Sequence, residues 1–395
     1  MNPNTIRKID YWIGRPICFF LTFFRNSSTR KEAEPKKIVF LKFIEQGATV
    51  LAYNAIKRAT EVVGKENVYF CVFENNRPIL EILDVIPQKN IITLSDKSLF
   101  DFIIDSFSAI LKIRREKIDT VIDMEFFSRA SAIFSFLTGG RIRVGLHRFT
   151  SELPFRGNLM THRIQYNPYL HTSVFYHSLV EATLQNPSEV PMMKVPQSKL
   201  SSKVPVFTAK EPEKKEMSER VIKKDGEKIV LLNPNASDLL PLRKWEPEKF
   251  VELGKKILSE NSNTRVILTG AASEQKSSEN ICAQIGSEKA ISFAGKTSLR
   301  ELLVLYSLSD ILVTNDSGPG HFSSLTSIKT IILFGPETSK LFGPISANAH
   351  IIWKELACSP CVNVFNHRFS PCNNNVCMKS ITVDEVYSAV KNYLN

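Results

Sequence analysis

No stretch of this 395-residue chain stays apolar for the roughly 20 residues that a helix needs to cross a membrane. The longest candidate, Tyr11 to Phe24, is 14 residues long and is interrupted by Arg15 and Thr22. Such a segment suits a helix lying in an interface. Two other readings stay open, a cleaved signal peptide and a hydrophobic cap packed on the fold. The first is weakened because Arg15-Pro16 breaks the apolar core and Asn26-Ser27-Ser28 is a poor cleavage site. Cysteine is scarce: seven residues, an odd number, argue against a secreted disulfide framework and for reduced thiols. No short-period repeat is present, which argues against a solenoid.

Acids are in short supply at the start of the chain. Residues 1–42 hold nine Lys and Arg against three Asp and Glu, so +6 of the overall +11 charge falls there. A basic arm beside an apolar segment points to an anionic membrane surface rather than to nucleic acid. Residues 1–35 are therefore expected to form a membrane-associating arm, on a cytoplasmic protein held peripherally on the inner face of the membrane.

The rest has the composition of a globular protein, 43% hydrophobic and 23% charged, and is long enough for two cores. From Lys37 short apolar runs alternate with helix-compatible segments. Strands are expected at 38–43, 68–73, 91–94, 120–124 and 141–145, with helices at 100–115 and 128–137 and another beginning at Gly47. A Pro-, Ser-, Lys- and Glu-rich stretch, 186–225, separates this half (36–185) from a second alternation in 226–395. There, strands are expected at 228–232, 264–269, 311–314 and 329–334, with a helix over 247–258. Ser298-Leu-Arg-Glu301 is a capping box ahead of a further helix. Strands alternating with helices imply parallel sheets covered on both faces, hence an α/β fold of two Rossmann-like, doubly wound domains with a cleft between them.

The second half is organised around Ile311 to Pro336. Its turn, Asp316-Ser-Gly-Pro-Gly-His321, carries two glycines, a hydroxyl, an acid and an imidazole where a parallel strand meets a helix. That is either an anion-binding corner or an ordinary glycine-bearing connection. The same residues nearly match a dinucleotide fingerprint, with Glu337 about 20 residues on, so an NAD(P)-dependent oxidoreductase is a rival. Against it, the third glycine is replaced by Ser323. Cys358, Cys361, Cys372 and Cys377 fit zinc spacing loosely and are read as structural thiols, with no metal expected.

Asn315-Asp-Ser-Gly-Pro-Gly-His321, Phe334-Gly-Pro336, Cys358-Ser-Pro-Cys361 and Cys377-Met resemble glycosyltransferase family 9, the lipopolysaccharide heptosyltransferases and their relatives. The likeness reaches back through Arg143-Val-Gly145 to Lys42–Leu51. It implies a GT-B fold and an inverting, metal-independent sugar transfer from a nucleotide sugar, ADP-heptose or another, to a lipid-linked glycan. No further cofactor and a monomeric state are expected.

Such a reaction needs a base for the acceptor hydroxyl and donors for the departing diphosphate. By resemblance, Asp316, Ser317, Gly318 and His321 form the donor loop, and Lys244 neutralises the diphosphate. Asn233 and Asn235 are candidates for phosphate or acceptor contacts, and Gly270 and Glu274 for the ribose. Where heptosyltransferases carry Gly-Asp, this chain has Gly47-Ala48, and alanine cannot take a proton. Glu45 is the expected replacement base. An inactive glycan-binding relative is the alternative that Ala48 raises. Gly47, Asp123, Glu125, Arg129, Arg143 and Arg148 are assigned to a phosphorylated acceptor, with a solvated basic face as the duller reading of the arginines.

Overall fold

The computed structural model describes residues 5, 8–24, 34–150, 156–200, 203–236, 240–365 and 369–394. Arg7, Arg25, Arg30, Lys31 and the Asn26–Ser28 segment lie outside them. The chain divides into two compact units, Met1–Lys203 and Val204–Asn395.

The first unit opens with a π-helical turn, Asp10–Gly14, running into α1 (Arg15–Phe23). There follow β1 (Ile38–Leu41), α2 (Gln46–Leu51), α3 (Tyr53–Val63), β2 (Val68–Phe73), α4 (Arg77–Leu83), β3 (Ile91–Leu94), α5 (Leu99–Arg115), β4 (Thr120–Asp123), α6 (Arg129–Leu137), β5 (Ile142–Leu146), β6 (His162–Ile164) and α7 (Thr172–Ala182). The strands pair in parallel in the order β3-β2-β1-β4-β5-β6. The apolar run of β1 is buried along its whole length, as a strand covered on both faces must be. Two serines start the helices of one face: Ser98 Oγ accepts from Asp101 N at 3.1 Å for α5, and Ser128 Oγ accepts from Ser131 N at 3.2 Å for α6. The single helix expected from Gly47 is two helices meeting at Ala52.

The N-terminal segment packs on this unit through α6. Cys18 is fully buried with Ala132, Leu159 and Met160. Asp10 Oδ1 accepts from the Arg129 and Ala130 amides at 3.0 and 3.3 Å, capping α6 from outside its own chain segment. Gly157, at φ +71°, lies so close under α1 that a Cβ there would sit 2.4 Å from the Cys18 carbonyl oxygen. Among the described residues, no helix is long and apolar enough to cross a membrane.

The second unit holds α8 (Glu211–Arg220), β7 (Lys228–Asn233), α9 (Pro247–Glu260), β8 (Thr264–Leu268), α10 (Gln275–Ile285), β9 (Ala290–Ser292), α11 (Leu299–Leu308), β10 (Ile311–Asn315), α12 (Gly318–Phe322), β11 (Lys329–Phe334), β12 (Ala349–Trp353) and α13 (Val383–Leu394). Its parallel order, β12-β11-β10-β7-β8-β9, repeats that of the first sheet. The capping box forms as read: Ser298 Oγ accepts from Glu301 N, and Glu301 Oε2 accepts from Ser298 N at 2.7 Å. The 186–225 stretch contains both the division between units and α8. That helix buries Met217 against the unit and places Arg220 Nη1 2.6 Å from Glu301.

Candidate functional site

Each sheet begins with a central strand, runs outward to one side, then returns to build the other side. The points where the direction reverses, between β1 and β4 and between β7 and β10, leave a crevice at the carboxyl ends of the strands. The polar residues gather at these two places.

In the first unit the chain leaving β1 carries Lys42, which is 1% exposed although it is an ammonium. A buried charge must be paired, and here two carboxylates do so: Glu45 Oε2 at 3.3 Å and Glu125 Oε2 at 3.1 Å. The second oxygen of Glu125 accepts from the Phe43 amide at 2.7 Å, which fixes the β1 loop to the β4 loop. Glu45 keeps a quarter of its side chain exposed and sits at φ +75°, a left-handed conformation that costs a non-glycine residue about 1–3 kcal/mol. The strain places the carboxylate over Lys42 immediately before α2. Gly47 and Ala48 follow in the first turn of that helix.

Beneath this pair lies Asp123, fully buried. Its Oδ1 accepts from Glu125 N at 3.0 Å, its Oδ2 accepts from Ser131 Oγ at 2.9 Å, and Arg156 Nη2 stands 3.5 Å away. Burial pushes the Asp123 carboxyl up to about 6, with the Arg156 guanidinium pulling the other way. The structure thus brings Glu45, Gly47, Asp123 and Glu125 together. Arg129 and Arg143 are employed elsewhere. Arg129 Nη1 pairs with Asp10 at 2.7 Å, and Arg143 donates from Nε to the Leu159 carbonyl at 2.8 Å. Arg148 is half-buried in the loop after β5. Lys42 and Arg156 are the polar residues that sequence reasoning did not assign. The signal for Lys42 was a lysine directly ending a fully apolar strand; Arg156 gave none.

In the second unit Asn315, at the end of β10, is the centre. Its Oδ1 accepts from Trp245 N at 3.0 Å, and its Nδ2 donates to the Pro234 and Asn235 carbonyls at 2.9 and 3.3 Å. One side chain therefore ties the β7 loop and the Arg243–Trp245 segment to the glycine turn. Asn233 Nδ2 donates to Thr269, to its carbonyl at 3.0 Å and its hydroxyl at 3.1 Å, which adds the end of β8. Gly270 follows, where a Cβ would meet Asn235 Nδ2 at 2.7 Å and Glu274 Oε2 at 2.9 Å. Glu274 accepts from the Ala271 amide at 2.7 Å. Ser317, Gly318, His321 and Lys244 are all partly exposed around this frame.

Two details differ from the sequence reading. The helix after the turn is only five residues long, so the anion-favouring element is the set of turn amides rather than an extended helix dipole. Asp316 is not at the surface: it is buried beside Arg243 (3.6 Å), which also contacts the buried Glu337 at 3.3 Å. Burial and the neighbouring Asp316 push Glu337 up to about 8, while Arg243 draws it down. Burial raises Asp316 as well. Two acids against one guanidinium hold a proton at neutral pH.

Of the thiols, Cys377 is buried, Cys361 half-buried, and Cys358 and Cys372 exposed. Among the described residues no group of three or more His, Cys, Asp or Glu is placed to hold a metal ion.

The family model of glycosyltransferase family 9 (heptosyltransferase) matches residues 107–368. Lipooligosaccharide heptosyltransferase 2 of Campylobacter jejuni serotype O:6 is 29% identical over 199 residues, 49% of this chain and 60% of that protein. The chain thus matches well under two thirds of that relative's length. Lipopolysaccharide heptosyltransferase 1 of Campylobacter coli is 23% identical over 302 residues, 75% of this chain and 81% of that protein. Among solved structures, E. coli ADP-heptose lipopolysaccharide heptosyltransferase II superposes with a TM-score of 0.68 at 17% identity, covering 91% of this chain and 98% of that one. The family 9 glycosyltransferase of Veillonella parvula gives 0.68 at 18% identity, covering 93% and 99%. At these identities the superpositions show the fold.

Proposed function

Because the chain belongs to glycosyltransferase family 9, we propose that it transfers a sugar, a heptose in the first instance, from a nucleotide diphosphate sugar to a lipid-linked surface glycan. The first unit takes the acceptor and the second the donor. The acceptor hydroxyl oxygen attacks the anomeric carbon as the bond from that carbon to the diphosphate breaks. Glu45 accepts the hydroxyl proton, and the nucleoside diphosphate leaves with the bonding pair. Attack opposite the leaving group inverts the anomeric centre. No metal is assigned a part: Lys244 and the amides of the Ser317–His321 turn take up the charge on the leaving group, while Asn233, Gly270 and Glu274 seat the nucleoside.

The observation that carries this reading is the pairing of Glu45 with the buried Lys42. The ammonium holds a carboxylate that is one quarter exposed at the end of the first strand, three residues from where the family's Asp is replaced by Ala48. The oxidoreductase reading loses its ribose acid, because Glu337 is 1% exposed and engaged with Arg243. The arm of residues 1–35 holds the enzyme peripherally at the inner face of the cytoplasmic membrane, where a lipid-linked acceptor is found.

The test is a donor screen with mass-spectrometric detection on membrane glycolipid extracts, run beside thermal shifts with ADP, UDP and NAD. Transfer from ADP-heptose with a shift by ADP and none by NAD is expected. A shift by NAD alone, or donor binding without transfer to any extract, overturns the proposal.

A further inference from the structure

The first unit presents a second apolar surface, on α5. The inward side of this helix buries Ala109, Ile110 and Ile113 on the sheet together with Phe134 of α6. Its outward side is apolar as well: Phe100 (71% exposed), Ile103, Ile104, Phe107 (64%) and Leu111 recur at intervals of three and four residues. A helix apolar on both sides is built for an apolar environment on both sides. The N-terminal segment repeats the arrangement. Cys18 and Gly14 face α6, while Trp12, Phe20, Phe23 and Phe24 are 60–72% exposed. Both α5 and α1 pack against α6, so α5, α6 and α1 form one layer on the same side of the first sheet.

Charge decides the occupant. Lys112, Arg114 and Arg115 close the outward stripe of α5, Lys117 follows it, and Lys8 precedes the arm helix, all exposed. Of the acids of the layer, Asp10 is turned to Arg129, Asp101 to Ser98 Oγ at 2.6 Å and Asp105 to the Ser95 amide at 2.8 Å. Glu116, at the end of α5, is partly exposed and paired with Lys37 at 3.7 Å, so cations outnumber acids on this face. Exposed Phe and Trp bordered by cations fit a bilayer carrying anionic headgroups. We infer that the outward face of this layer docks on an anionic lipid surface and that α5 shares the contact with the arm. This deepens the peripheral attachment proposed above and rests on it only for where the acceptor lies; the lipid contact itself requires neither donor nor acceptor.

The experiment is co-sedimentation of the full chain with phosphatidylcholine vesicles, with and without phosphatidylglycerol, for wild type, Phe100→Ser/Phe107→Ser and the milder Ile103→Gln. Circular dichroism melts check that the variants fold. Wild type is expected to bind the anionic vesicles, more weakly as salt rises, and the double variant to lose roughly tenfold or more. Ile103→Gln should lose less while melting as wild type, which guards against a folding defect in the double variant. Transfer to a delipidated, soluble acceptor should be unchanged in both variants. Equal binding by wild type and both variants, or equal binding of wild type to neutral vesicles, overturns the inference. So does a dimer in light scattering that the double variant dissociates, since the face would then be covered by a second copy. Absence of transfer in every form, with vesicle binding intact, would sink the proposed function and leave the docking surface standing.

Discussion

The two units share one strand order, yet their reversal points are furnished in opposite ways. At the β1/β4 point the strand ends are ionic: the partly exposed Glu45 covers the buried Lys42, which also meets the buried Glu125, with Asp123 and Arg156 alongside. At the β7/β10 point the frame is neutral, built from the side-chain amides of Asn315 and Asn233, while the acids Asp316 and Glu337 are buried against the mostly covered Arg243. Under the proposed function, the contrast lets one topology serve two halves of a reaction. A group that must take a proton needs a carboxylate held ionised near solvent, whereas a site for a diphosphate must keep bare carboxylates away from it. Topology supplies the position, and the residues ending the strands supply the chemistry.

The contrast can be broken first at Glu45. Glu45→Gln is expected to lower transfer by about 10²- to 10⁴-fold with nucleotide affinity unchanged. Normal turnover in that variant would remove the proton-taking role from the ionic end. Lys42→Met should cost about 3–5 kcal/mol in urea unfolding, because it strips the cation from two carboxylates, one of them nearly buried. On the neutral side, Asn315→Ala leaves the Trp245 amide and the Pro234 carbonyl without their partner. It should cost about 1–3 kcal/mol and raise the nucleotide Kd more than it lowers kcat. Equal loss of kcat and affinity would blur the division between the two ends.

The group of Arg243, Asp316 and Glu337 offers a finer probe. The folded-state value of Glu337, about 8, lies above its ordinary 4.5, so its contribution to stability is fully present below the lower value and is lost as pH rises through the upper one. The wild-type Tm should fall over that window, and Glu337→Gln should flatten the fall. An unchanged slope would mean that the proton sits elsewhere. The smallest effect is expected at Gly320, where a Cβ would stand 3.1 Å from Ile332 Cδ1. Gly320→Ala should cost about 1 kcal/mol in urea unfolding.

Much of this architecture was legible. The runs 68–73, 91–94 and 329–334 are strands with the bounds that apolar patterning assigns. Strands β6, β9 and β12 escaped notice: the first two are three residues long, too few to show a period, with β6 reading His-Arg-Ile, and β12, Ala-His-Ile-Ile-Trp, lacks a clean alternation. The glycine turn and Asn233 were legible as strand-end residues because each directly follows an apolar run. The ionic cluster was only half legible. Lys42 meets Glu125 across 83 residues, and Asp123 meets Arg156 across 33, distances over which a linear pattern carries no pairing information. Nor did the sequence show that Arg129 is spent on Asp10. Its position beside two acids suited an acceptor contact equally well.

The junction of α1 with Gly157 has a practical consequence for anyone shortening the chain. Cropping the first two dozen residues to improve behaviour in solution would uncover the Arg129 guanidinium, strip two amides of α6 of their carboxylate and open the groove that Cys18 fills. A gentler way to pry the segment loose is a wedge: an alanine methyl at Gly157 meets the Cys18 carbonyl at once.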